Sequence, residues 1–291
     1  MKLLVTTSRS LLLLDADSGA FRPVHRGAGL YYGITETPRH YLVAARRRMV
    51  SSADPADAER GEILIFNRRL EQVGRWQAPF ALRDMHEIRW HRKHLWVTCS
   101  HDNMLAVRLP DGRWQQWYPL GEPAGAVRDL NHFNSLHLRG DTLWVLAHNR
   151  GASEILQFDL ATRSLRQRVA LGQQAHNLWR SGGRWHTCSS AEGAIVDEGG
   201  RSVPTGGFPR GVARLPCGWA VGISELAERS RRDFSEGQVA IYDAAWRALR
   251  RHPLRGEGLV LDILPHRGVL TTLGRIAALR LASMGYHNRT L

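Results

Sequence analysis

The apolar residues of this chain come in short bursts of four to six, separated by turn-forming residues, with no stripe at helical spacing. Three stretches repeat one grammar: RDMHEIRWHRKHLWVTCSHDNMLAVRLPDGRWQQW from Arg83, LNHFNSLHLRGDTLWVLAHNRGASEILQFDLATRSLRQR from Leu130, and QAHNLWRSGGRWHTCSSAEGAIVDEGGRSV from Gln174. Each has a short run ending in an aliphatic residue, a charged or Gly-rich turn, and an aromatic strand (LWVTCS, LWVLAH, RWHTCS). A polar turn, an apolar strand, an Asp- or Gly-containing hairpin and a fourth run follow. Such units predict four-stranded meanders and an all-β chain.

The same grammar, more loosely spelled, fits YYGITETPRHYLVAARR with GEILIFNRRLEQVGRW, PRGVARLPCGWAVGIS with QVAIYDAAWRALRR, and LDILPHRGVLTTLG. The aligned first-strand positions are Tyr32, His86, Asn134, His176, Arg210 and Leu261, separated by 54, 48, 42, 34 and 51 residues, a mean of about 46. Four strands per period of 40 to 50 residues predict a β-propeller. Six first strands, beginning near 31, 85, 133, 175, 209 and 260, and six late hairpins near Asp15, Asn67, Asp111, Asp159, Asp197 and Asp243 predict six blades in one domain spanning 1–291. Residues 1–28 hold outer strands without an inner one, and Glu257 to Leu264 supply an inner strand near the end, so pairing of the two should close the ring. Seven blades is the alternative, because VLTTLGRIAALRL resembles LLVTTSRSLLLLD and gives a seventh early hairpin.

The spellings MHEIRW with LWVTCS, and AHNLWRSGGRW, resemble propellers of the NHL-repeat, senescence-marker lactonase and streptogramin-lyase kind, at the level of repeats over most of the chain. The resemblance implies the fold. Its lactonase branch further implies a calcium site made of Glu, Asn and Asp oxygens at inner-strand starts, which here would be Glu87, Asn134, Asn177 and Asp262.

First strands of a propeller line its axis, so polar residues at their starts converge. Here those starts carry Tyr32, His86 with Glu87, His132 with Asn134, His176 with Asn177, Arg210 and Asp262. Three imidazoles suit a divalent transition metal, zinc, iron, manganese or copper, so His86, His132 and His176 are the expected ligands. Glu87 and Asp262 are the expected acid–base groups, and Tyr32, Asn134, Asn177 and Arg210 the expected substrate contacts. An arginine aimed into the channel favours an anionic substrate, small or peptide-like. The chemistry is open among lyase, hydrolase and oxygenase. Its rivals are a non-catalytic propeller that binds a partner protein through the insertions Arg46 to Gly61 and Glu225 to Gly237, and a calcium-dependent lactonase-like hydrolase. His148, at the end of its strand, is expected on the opposite rim or in packing.

Composition narrows the alternatives. With 40 basic and 27 acidic residues the net charge is +13, yet 38 of the basic residues are Arg and they are scattered. No helix-turn-helix, zinc-finger or RNA-recognition pattern accompanies them, so no specific nucleic acid is expected. Apolar runs fall far below the roughly 20 residues of a membrane-spanning helix, and no membrane association is expected. Arg9 interrupts the apolar N-terminal run, and Asp15 and Asp17 stand where a signal-cleavage site would be, so the segment reads as strand and the protein as cytoplasmic. Cys99, Cys188 and Cys217 form no CxxC pattern and read as reduced, structural thiols. There is no GxSxG, GxGxxG or GxxxxGK[ST] motif. The ten Trp fall mostly at repeat positions and are expected to pack between blades, with Trp117 and Tyr118 at the cavity edge. The oligomeric state is not legible.

Overall fold

The computed structural model describes residues 1–122 and 128–268. Among these, twenty-four strands form six four-stranded antiparallel sheets. One blade runs outward from the axis as Met85–His91, His94–Cys99, Met104–Arg108 and Trp114–Trp117. The six innermost strands are Tyr31–Glu36, Met85–His91, Phe133–Arg139, Ala175–Ser181, Phe208–Leu215 and Val260–Pro265. Each packs against the innermost strands of both neighbouring blades, which makes the six-bladed ring. Closure is by Lys2–Thr7 lying antiparallel to Val260–Pro265, with Leu3 opposite Pro265 and Val5 opposite Ile263. The seventh hairpin considered from sequence lies, from residue 269 onward, outside the described residues.

Blade sandwiching explains the apolar bursts. Ser10–Asp15 (SLLLLD) and His40–Ala45 (HYLVAA) are buried on both faces, because each sheet is covered by a blade on either side. The outermost strands Phe21–Arg26, Leu165–Gln173 and Ala248–Pro253 are far more exposed and carry the arginines, whose charge discourages pairing of sheet edges between molecules. Aromatic rings fill the interblade layers as expected. Trp117 meets Phe158 across one seam at 5.3 Å, Trp144 meets Trp185 across the next at 5.1 Å, and Trp179 meets Trp219 at 5.7 Å. Trp117 is therefore core and not cavity edge. Tyr118 borders a separate surface depression near Phe80 and Arg83.

The six late hairpins share a device that the sequence announces. Asp15, Asn67, Asp111, Asp159, Asp197 and Asp243 each accept backbone N–H bonds from residues two to four positions ahead, such as Asp17 and Ser18 on Asp15, and Gly199 and Arg201 on Asp197. An Asx side chain thus replaces backbone partners that the turn lacks.

A second device closes the seams around the channel. Each innermost strand is bulged near its start, which turns one side chain sideways toward the next blade. Glu87 accepts the N–H of Leu136, Asn177 that of Gly211 and Asp262 that of Ile34, while Asn134 donates to the carbonyl of Ala175. The two remaining seams use glycine. A Cβ on Gly33 would lie 2.6 Å from Glu87 Cα, and one on Gly211, whose φ is +82°, would lie 2.9 Å from Asp262 Cα. At the bulge itself, four seams are stitched by polar side chains and two by close backbone approach, the latter also crossed nearby by the N–H of Trp90 on Thr35 Oγ1 and that of Val260 on Ser224 Oγ.

Candidate functional site

Because the two inner strands of a blade are antiparallel, the start of the first lies beside the end of the second. Met85 faces Cys99, Phe133 faces Ala147 and Ala175 faces Ser189. One rim of the channel therefore collects residues from both, and there a cavity of about 330 Å³ opens. Its wall includes Asp84, His86, His132, His148, His176 and Arg210. His148 lies on this rim and not the opposite one, for the antiparallel reason just given. Its ring is 4.6 Å from that of His132 and 5.2 Å from that of His176.

Residues immediately before three innermost strands have left-handed backbone: Asp84 at φ +50°, His132 at +49° and Gln174 at +45°. All three line the cavity. Non-glycine residues adopt this conformation at a cost, and such outliers gather at functional sites. The turn aims Asp84 and His132 at the axis from neighbouring blades, while His86 reaches the same place from within its strand. The three offer ligand atoms within 4.8 Å of one another, a group able to hold a metal ion.

Partners fix the state of each group. Burial penalises the Asp84 charge, but Arg46, at 2.5 Å, outweighs it with help from His86 and His132, and the carboxyl is held well below its usual range. Arg46 is itself shared with Glu59, 2.5 Å away, and is 7% exposed. His132 Nδ1 lies 2.6 Å from Asp129 Oδ1, so its proton is placed there and the Nε2 lone pair is left for another partner. Arg150 anchors Asp129 in turn. Burial pushes His86 down to about 3, keeping the imidazole neutral, the form in which it binds metals. Its Nε2 is buried 3.2 Å from Asp84 without a well-formed hydrogen bond. Burial also lowers His148 and His176.

His176 plays another part. Arg210 donates to its Nε2, its Nδ1 lies 2.8 Å from Ser190 Oγ, and Ser190 donates to the Pro209 carbonyl at 2.7 Å. This chain fixes the Nδ1–H tautomer and spends the Nε2 lone pair on the guanidinium. The sequence reading took His86, His132 and His176 as the ligand triad; the structure gathers His86 and His132 with Asp84 instead, and gives His176 to Arg210.

Of the remaining expected residues, Tyr32 and Arg210 line the cavity, the Tyr32 ring 4.7 Å from His86. Glu87, Asp262, Asn134 and Asn177 do not. The bulges direct them into the seams, where their polar atoms meet backbone, and Glu87 also pairs with Arg89. The arrangement thus offers neither the two acid–base carboxylates nor the four-oxygen calcium site at the pocket. Asp84 and Asp129 escaped the sequence reading, and His148 was expected on the other rim or in packing. The signal for Asp84 was present, since it stands two residues before His86 as His132 stands two before Asn134. Cys99 and Cys188 are fully buried, and burial raises both thiols, consistent with packing and not nucleophilic roles.

No protein-family model matches the chain, and no curated protein matches it. Solved structures do. A chain of a nidogen/laminin complex superposes with a TM-score of 0.62 at 11% identity, over 90% of this chain and 97% of that one. Streptogramin B lyase superposes at 0.50 with 12% identity over 88% of each chain. Virginiamycin B lyase from Staphylococcus aureus does so at 0.50 and 12%, over 77% of this chain and 69% of that one. At these identities the likeness is one of fold, and the chain shares a propeller architecture with proteins of unlike activity.

Proposed function

We propose that the axial pocket is the active site of a metal-dependent enzyme acting on a small or peptide-like anionic substrate. The observation that carries this reading is the convergence of Asp84, His86 and His132, with ligand atoms within 4.8 Å, at the wall of the cavity that also contains Arg210. The donor set fits a first-row divalent ion such as zinc, iron, manganese or copper: two imidazoles, that of His86 neutral and with an orphaned buried nitrogen, and one carboxylate held ionised. Asp129 orients His132 as carboxylates orient metal-bound histidines. A metal held there would polarise a substrate oxygen or acidify a bound water. The chain's own residues supply the rest: Arg210 draws an anionic group, and Tyr32 borders the space beside it. His148 receives the N–H of Arg150 on Nδ1, so its Nε2 carries the proton and is a donor toward the cavity.

The two lyase relatives in fold are enzymes by name, whereas the nidogen/laminin chain belongs to a protein complex. A partner-binding propeller is the second reading, favoured by Leu226 and Phe234, 70% and 67% exposed on one long loop. Metal titration separates the two. Chelator-stripped protein titrated with Zn²⁺ and Mn²⁺ in a calorimeter should take one equivalent of at least one ion. His86→Ala and His132→Ala should each abolish uptake, and His176→Ala should not. Absence of uptake by folded wild-type protein would end the metal reading and leave the partner-binding one.

A further inference from the structure

Arg210 is a buried guanidinium, 9% exposed, whose neighbours are all uncharged. They are His176 Nε2, His86 Nδ1 at 3.4 Å, and the rings of Tyr32 and Phe208 at 5.5 and 5.8 Å. Among the described residues no carboxylate lies within ion-pair distance of it. The nearest acid that bears on it is Asp84, which stands behind His86 and is already tied to Arg46. The other cationic groups deep in the cavity are neutralised, Arg46 by Glu59 and Asp84, Arg150 by Asp129. A buried charge without a counterion is costly, and an anionic ligand would supply the missing partner.

The anion has a definable charge and shape. One buried guanidinium without a counterion matches one negative charge; the exposed Arg232 is screened by water and makes no such demand. A phosphate dianion would meet Asp84 and Asp129 on the same wall. One part of the remaining wall is apolar, beside the polar Gln174 and Glu225. Val50, Phe208, Leu226 and Leu259 join the Tyr32 ring, and Leu226, though 70% exposed, borders the mouth. Val50 and Leu226 come from the two long loops, 46–61 and 225–236. These are tied together by Asp233, fully buried, which accepts the N–H groups of Val50 and Ser51 at 3.2 and 2.7 Å. The apolar side of the mouth is thus a built wall. Arg232 of the same loop also borders the cavity, with no carboxylate partner among the described residues.

We infer that the pocket takes a monoanionic carboxylate with an apolar body, its carboxylate on Arg210 and its body against Tyr32, Phe208, Leu259 and Leu226. This inference rests on the pocket being the substrate site proposed above, and its test does not depend on a metal.

Calorimetry on the full chain, both chelator-stripped and loaded with Zn²⁺ or Mn²⁺, would compare phenylpropanoate and hexanoate with their amides, with acetate and with inorganic phosphate. Expected is binding of the two longer carboxylates about tenfold or more tighter than of their amides, the ratio that a charge-assisted contact confers, and tighter than of acetate, which lacks the apolar body. Arg210→Gln should erase the preference for carboxylate over amide, and Arg210→Lys should retain part of it. Phe208→Ala should weaken phenylpropanoate and leave acetate unchanged. Amides binding as well as acids, phosphate binding tightest, or no acid binding in either metal state would each overturn the inference. The wild-type acid-to-amide ratio decides the matter even if Arg210→Gln misfolds. Metal uptake without carboxylate preference would sink this inference alone, and carboxylate preference without metal uptake would sink the metal reading alone.

Discussion

Replacing Asp262 by an asparagine tests the seam assignment through its pH dependence. Asp262 is 4% exposed; its Oδ2 accepts the Ile34 N–H across the closing seam at 3.0 Å, and its Oδ1 accepts that of Ile263 at 2.9 Å. Burial, then the nearby Glu87 charge, push its carboxyl up from 3.8 to about 7, against the pull of Arg89. A raised acid holds its proton more tightly folded than unfolded. Below pH 4 it contributes nothing; from pH 4 to 7 it progressively destabilises the fold, and above 7 the whole penalty is present. Taking 1.4 kcal/mol per pH step, the full penalty is on the order of 4 kcal/mol, of which about 3 accumulates between pH 5 and 8. The amide of Asp262→Asn carries no charge and keeps an oxygen for Ile34, while its NH₂ faces the Ile263 N–H, a loss of about 1 kcal/mol at every pH. The variant should therefore be slightly less stable than wild type at pH 5 and more stable at pH 8. Urea unfolding followed by tryptophan fluorescence at both pH values gives the double difference directly. Parallel stability curves would show that Asp262 is not protonated in the folded ring, and the account of this seam would fall.

Other expectations are simpler. Asn177→Ala leaves the buried Gly211 N–H without a partner and should cost about 1–3 kcal/mol, read as a lowered urea midpoint with unchanged slope. Arg46→Met strands Glu59 and Asp84 and should cost about 3–5 kcal/mol, with Glu59→Gln restoring part of the loss in a double-mutant cycle. Removal of residues 1–25 takes three strands from the closing blade and should abolish cooperative melting; a truncated chain melting at the wild-type temperature would refute closure.

What the sequence disclosed and what it hid follow from one geometric fact. Blade count, hairpin positions and interblade tryptophans depend on residue type and spacing alone, and the Asp or Asn at each late turn carried its reason on its face. The direction of a side chain at a bulge does not. One added residue in a strand start swings Glu87, Asn177 and Asp262 from the channel mouth into the seams, and alignment columns cannot register that rotation. Asp84 entered the site by a left-handed turn, which propensity disfavours for aspartate less than for most residues but does not announce. His176 was visible as a candidate ligand, yet its lone pair was claimed by an arginine one blade away, a tertiary contact without local signature. His148 was misplaced because strand direction, alternating within each blade, decides which rim a strand end reaches.

The closing pair also sets a schedule for folding. Thr6 and Asp262 stand 256 residues apart, so in a growing chain Lys2–Thr7 emerges long before its partner strand exists. At translation rates of about 5–20 residues per second, the wait lasts roughly 10 to 50 s. Throughout it the hairpin formed by KLLVTT and SLLLLD, rich in leucine, presents an unpaired apolar edge to its surroundings. The strand shaped to satisfy that edge is Val260–Pro265, and a neighbouring chain whose ring has not yet closed offers the same strand as readily as the nascent chain's own tail. Crowded synthesis should therefore yield swapped dimers in which each ring is completed by the other's first strand, and slowing initiation on the messenger should suppress them.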